Sequence, residues 1–278
     1  MRPRRGAGLA EMLVSLTLAA VVAAASAAAL MGAERYMRRA RSTSDARRTL
    51  REAAAVLASE LRAATLDSTR VRGDTAVDFL GMVGVSAVCA STGGVLILPP
   101  EIASNGFPFS SWRASPEAGD LLALFDTAGG GAWRTAVIDS ASNPTNGAGC
   151  KPSSGLLSGA DSAARRPFTR LVLHAPLVPA PLTGAPLRVV RSGRYALTRA
   201  ADGSWSLSYR RCTGGTCAVA QPVAGPFAAP ADSGLVFASL RGSPQLSVFL
   251  RAAPIDANAP RESAMLHFTL RNRALALP

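Results

Sequence analysis

From Met12 to Ala33 the chain carries no charged side chain. Such a run, at about 1.5 Å per helical residue, is long enough to cross the roughly 30 Å hydrocarbon core of a bilayer. Arg2, Arg4 and Arg5 precede Gly6, a single carboxylate stands at Glu11, and the next charge is Glu34. A plain membrane anchor accounts for the length but gives no reason for Glu11, because a carboxylate within a membrane segment is costly without a partner. Glu11 is near the edge of the run, where an anchor could hold it at the interface. A secretory signal peptide would use Arg2–Arg5 as its basic region and Ala25-Ser26-Ala27 as a small-x-small cleavage site. A buried core helix is disfavoured by the length and purity of the run. Arg35, Arg38, Arg39 and Arg41 follow it, so counting positive charge leaves the orientation undecided.

The stretch RRGAGLAEMLVSL resembles the N-terminus of type IV prepilins and type II secretion pseudopilins. There a short basic leader ends in glycine, and the fifth residue after it is a glutamate opening a hydrophobic helix. The resemblance implies a leader of residues 1–6, cleavage between Gly6 and Ala7 by a prepilin peptidase, and methylation of the Ala7 amine. It also implies that Glu11 forms an assembly salt bridge with the amine of a neighbouring subunit. Two positions depart from the usual pattern: Ala7 replaces the commoner phenylalanine or methionine, and Gly8 is the second mature residue, where glycine costs up to about 1 kcal/mol of helix propensity. The spacing has a physical reason, since a charge in a low-dielectric filament core or in lipid persists only if paired. An anion in the first turns of a helix is also favoured by the macrodipole.

No proline occurs between Pro3 and Pro99, and Gly32 is the only glycine from Leu9 to Arg72. Leu50, Ala54, Leu57, Leu61 and Ala64 recur at three- and four-residue steps, with Arg47, Arg51, Glu52 and Arg62 off that line. The pattern predicts one helix over residues 7–66, hydrophobic all round over a transmembrane segment at about 12–33 and amphipathic in its second half. Two helices hinged near Gly32 are the alternative. From residue 67 turn residues rise and short apolar runs alternate with them, which predicts a β-rich head over 67–278. The expected strands are GVLILPP, GDLLALFD, WRTAVIDS, FTRLVLHA, LRVVRSGRYALTRA, WSLSYRRC, LVFASL, QLSVFLRA and AMLHFTLRNR, with a hairpin turn at Asp202-Gly203. Residues 99–116, 140–167 and 175–186 read as loops, and 222–234 as a Pro-rich connector. The fold class is therefore α+β, a long helix packed on a β-rich globular head.

The closing segment, QLSVFLRA and then ESAMLHFTLRNRALAL, is similar to the last strands of PilW-like minor pilins and J-type minor pseudopilins, which often end in Leu-Arg-Asn, here Leu270-Arg271-Asn272. Leu266, Phe268 and Leu270 alternate with His267, Thr269 and Arg271, so one face can meet a core.

The four cysteines, in a chain that opens with an export signal, favour disulfides over metal ligation. Cys212 and Cys217 enclose Thr-Gly-Gly-Thr, suited to a turn closed by a disulfide. Cys89 and Cys150 are then paired by elimination, although four cysteines allow three connectivities and free buried thiols are a further possibility. The net charge of +12 is almost all arginine, Lys151 being the only lysine. No basic run is interleaved with stacking aromatics, so nucleic acid is a conceivable but unsupported partner. His174 and His267 are not at metal-ligand spacing, there is no G-x-S-x-G elbow, and Asn-Gly-Ala-Gly-Cys-Lys lacks the phosphate-loop spacing. No catalytic residue, metal or cofactor is expected. Trp112, Trp133 and Trp205 are isolated and read as packing residues.

The resemblance implies a structural subunit, a minor pilin or pseudopilin. Its partners would be other pilin-like subunits, the prepilin peptidase and inner-membrane lipid. Its N-terminus would be cytoplasmic and its head periplasmic, before entry into a pilus or pseudopilus. The alternatives are a filament-borne adhesin or DNA-binding module using loops within 99–186, and a soluble secreted β-rich protein released after Ala27.

Overall fold

The computed structural model describes residues 8–64, 68–101, 109–126, 131–146, 149–239, 244–254 and 261–270. The helix-forming stretch becomes one helix, α1 (Leu9–Leu61), of 53 residues and about 80 Å at the standard rise. It passes through Gly32 unbroken, so the hinged alternative does not form. One glycine lowers helix propensity by about 1 kcal/mol, too little to interrupt so long a run of helix formers. Helical bonding stops at Leu61, short of the expected Leu66. There the N–H groups of Ala63 and Ala64 turn to the carbonyls of Glu60 and Leu61, both at 3.2 Å, tightening the last turn. Ala7 and residues 65–67 lie outside the described residues.

The second half of α1 buries Ser42, Thr49, Leu50, Ala53, Leu57 and Leu61, with Ala64 buried just beyond its end. Ala53, not Ala54, completes the stripe: Ala53 is fully buried, Ala54 only partly. Arg47, Arg51, Glu52 and Arg62 are exposed, as the periodicity requires.

The head opens with β1 (Arg70–Arg72), β2 (Ala76–Ala87), β3 (Ala90–Thr92), β4 (Val95–Leu98), β5 (Ser111–Trp112), β6 (Leu121–Asp126) and β7 (Ala132–Ser142). A short helix, α2 (Gly159–Ala163), leads to β8 (Thr169–Leu173), β9 (Pro186–Arg199), β10 (Trp205–Thr213), β11 (Thr216–Cys217) and β12 (Gln221–Phe227). Three strands follow, β13 (Leu235–Ser239), β14 (Gln245–Arg251) and β15 (Ser263–Thr269). The first twelve strands form one antiparallel sheet with the path β1-β2-β9-β6-β7-β8-β4-β3; β10 pairs with β9, β12 and β11, and β5 with β2. The last three make a separate meander, β13-β14-β15.

Two departures from the expected strands have clear causes. The second-longest strand, β2, lies in a stretch not expected to be a strand. Most of its residues are buried on both faces, which erases the alternation that betrays a half-exposed strand, and Gly81 and Gly84 read as breaks. Gly84 is needed there because a Cβ would collide with the Trp112 ring. The supposed connector 222–234 contains most of β12. Its ladder partner is β10, with one further bridge from Phe227 to Ala252 at its end, and a strand with its other edge so largely open tolerates Pro222 and Pro226. The short strands β1, β3, β5 and β11 were likewise not expected. The β9–β10 hairpin turns where expected, with Gly203 at φ +84° and Asp202 accepting the Ser204 N–H at 2.9 Å.

Two cores result. One brings α1 (Leu50, Ala53, Leu57, Leu61) against Phe79, Tyr195, Leu207 and Phe227 of the large sheet and Phe237, Val248 and Phe268 of the meander. The other lies away from the helix, around Leu96, Leu98, Leu122, Leu124, Ile138, Leu171 and Leu187. Disulfides join Cys89 to Cys150 and Cys212 to Cys217.

Candidate functional site

The candidate site is the first half of α1. Gly8 caps it in an extended conformation (φ −68°, ψ 151°), and its carbonyl accepts the N–H groups of Glu11 (2.9 Å) and Met12 (3.3 Å). Glu11 therefore sits in the first turn, where the helix dipole favours a negative charge. Among the described residues it has no ion-pair partner.

Every described side chain from Ala10 to Arg41 is exposed, and the most apolar window of the helix is 0% buried. Met12, Leu13, Val14, Leu16, Leu18, Val21 and Val22 cover all sides of the cylinder. The two hydroxyls near its start are satisfied within the helix: Ser15 donates to the Met12 carbonyl and Thr17 to that of Val14, each at 2.9 Å. The helical backbone and these two hydroxyls thus find partners without water, as a helix in lipid or in a dry helix bundle requires.

The docked half is held by more than its stripe. Arg47 pairs with Glu262 at 3.2 Å, the Thr49 hydroxyl donates to the Gly225 carbonyl at 3.3 Å, and Arg113 pairs with Glu60 at 3.1 Å while donating to the Ser59 carbonyl. These attachments fix the second half on the head, and the exposed half continues it as the same helix. Sequence patterning found the apolar line but not these polar clamps, whose partners are far away in the chain.

The remaining singled-out residues take structural places. Gly6 and Ala7 lie outside the described residues. Cys89 and Cys150 staple the end of β2 to the segment before α2; Cys212 and Cys217 close the β10–β11 hairpin, with Gly214 and Gly215 at positive φ. His174 faces Asp139 at 3.1 Å on the surface, and His267 pairs across strands with the Ser247 hydroxyl at 3.0 Å. Among the described residues no three His, Cys, Asp or Glu side chains group as a metal site would need. Trp112 packs over β2, Trp133 meets the Phe125 ring edge at 5.4 Å beneath the Arg188 guanidinium, and Trp205 borders the helix core.

Much of the head's arginine charge is engaged internally. Asp120, fully buried, receives Arg191 at 2.8 Å and Arg211 at 3.2 Å, and Arg211 also meets Glu117. Arg194 and Arg72 converge on Asp78, and Arg134 on Asp126. Burial pushes the Tyr195 and Tyr209 phenols above their usual range. Both rings line a cavity of about 360 Å³ between α1 and the sheet, together with Glu60 and Arg113.

No family model, no curated protein and no solved structure matches the chain.

Proposed function

We propose that this chain is a structural subunit of a membrane-anchored helical filament, a minor pilin-like or pseudopilin-like protein. The observation that carries this reading is the exposed half of α1: an apolar cylinder with one carboxylate at its start, continuous with a helix docked in the head. So large an apolar surface is not stable in water and requires lipid or neighbouring helices around it. In this reading a prepilin peptidase cuts between Gly6 and Ala7, and the Ala7 amine is methylated. The subunit then waits in the inner membrane with its N-terminus cytoplasmic and its head periplasmic. On assembly the helix leaves lipid for a bundle of neighbouring pilin-like helices, and Glu11 neutralises the amine of an adjacent subunit. The engaged arginines of the head, at Asp78, Asp120 and Asp126, favour a structural role for that charge over a polyanion-binding face.

The Glu11→Gln variant tests the pairing. It keeps the shape of the side chain and removes the charge, so the account expects normal amounts in the membrane. Its share in sheared filaments from the native host should fall at least about tenfold, as expected when a buried charge loses its partner. Wild-type incorporation of Glu11→Gln would contradict the proposed role.

A further inference from the structure

The four arginines that follow the apolar run have no place in the assembly reading. Arg35, Arg38, Arg39 and Arg41 are all exposed, within two turns of one helix. Arg38 leans on Glu34 at 3.7 Å, an exposed pair of little strength. Asp45 is the next carboxylate along the helix. Among the described residues no carboxylate lies within ion-pair distance of Arg35, Arg39 or Arg41.

Their height is set by the helix. If Met12–Ala33 fills the hydrocarbon core, Arg35–Arg41 spans about 9 Å just beyond it, and Ser42, the first buried residue, lies about 13 Å above Ala33. The headgroup layer of one leaflet is roughly 5–8 Å thick. The backbones of Arg35 and Arg38 therefore stand in that layer, and those of Arg39 and Arg41, about 9 and 12 Å above Ala33, stand just over it with long side chains that reach back into it, all beneath the edge of the head. Arg35, Arg38 and Arg39 stand seven, four and three residues before Ser42, on the face that the head covers higher up. Tyr36, 72% exposed, lies at the same depth, where amphipathic rings are favoured. A groove of about 960 Å³ opens there between α1 and the start of β15, lined by Tyr36, Arg39, Arg51 and Ser263, with the Arg47–Glu262 pair among its walls.

We infer that this arginine collar binds the headgroups of anionic phospholipids, drawing a shell of them beneath the head while the subunit is in the membrane. The inference rests on the anchoring part of the proposed function and not on filament assembly. Guanidinium groups suit it because they take phosphate oxygens bidentately, and a net-negative headgroup adds the long-range attraction that a zwitterionic one lacks.

The test uses the delipidated full chain in detergent, with phosphatidylglycerol and phosphatidylcholine of equal chain length, and counts bound lipid by native mass spectrometry. Wild type is expected to prefer phosphatidylglycerol about tenfold or more, given the attraction typical of each arginine near an anionic surface. The R35Q/R39Q/R41Q variant should bring that preference within about twofold. The charge-matched R62Q/R70Q/R165Q variant, altered at exposed positions of the helix end and head, should keep it. Equal retention of both lipids by wild type overturns the collar, as does a preference that survives R35Q/R39Q/R41Q or is lost equally in the control. Displacement of phosphatidylglycerol by millimolar inorganic phosphate also overturns it, since the site would then be one for free anions. Flotation with phosphatidylcholine vesicles, which depends on the apolar helix alone, separates the two readings. Flotation without headgroup preference removes the collar only, whereas failure to float removes the anchor and the collar with it.

Discussion

Asp78 accepts from Arg194 at 2.5 and 3.1 Å and from Arg72 at 2.8 Å. Its burial opposes ionisation, but the hydrogen bonds from both arginines outweigh it and hold the carboxyl below its ordinary range. A carboxylate depressed on folding stabilises the fold fully above its unfolded value, near 3.9, and that contribution is lost as pH falls through the folded value. Asp78→Asn should therefore cost about 1–2 kcal/mol at pH 7, discounted for the exposed Arg72, and the gap to wild type should close below about pH 4. Urea titrations of the full chain in detergent across pH 7 to 2 measure it; a gap that stays constant would show that ionisation is irrelevant. The same scale separates what the sequence disclosed from what it hid. The isolation of Glu11 within an uncharged run is visible without any tertiary knowledge, because it depends on neighbours in sequence. The burial of Asp120 is not, because the Arg191 and Arg211 that make it tolerable come from β9 and β10.

At the scale of elements, α1 has two halves with different obligations. Leu57 is fully buried in the helix–sheet core, while Leu16 is 71% exposed. Leu57→Ala should cost about 2–5 kcal/mol of head stability, and Leu16→Ala should change it by no more than about 0.5 kcal/mol. Denaturation followed by the fluorescence of Trp205, which borders that core, reads both. Equal effects would mean that the exposed half is also part of the fold. The helix was legible because its period and its freedom from proline are local properties. The nearly continuous burial of β2 and the proline content of β12 were misleading for complementary reasons. A doubly covered strand loses its alternation, and an edge strand is released from the need for every N–H. The connection of β9 to β2, β6 and β10 at once is a property of the sheet, with no counterpart in any one segment.

Over the whole molecule, two main cores and two disulfides divide the head. The Cys89–Cys150 bond closes a separation of 61 residues beside the core remote from α1, and Cys212–Cys217 closes only 5. Loop-closure entropy gives about 4 kcal/mol for the first and about 2 for the second. The Cys89→Ser/Cys150→Ser variant should thus be the less stable of the two pair deletions by thermal unfolding in detergent; the opposite order would mean that native packing, not chain entropy, sets their worth. The central claim is that the apolar half of α1 stays with the head in the mature protein and is its means of anchorage and assembly. Intact mass and N-terminal sequence of the protein purified from membranes of its own host test this most directly. The account predicts a chain that begins at Ala7 and carries one added methyl. A chain that begins at Ala28 and is recovered in the soluble fraction would contradict it, because the apolar run would then be a discarded export signal.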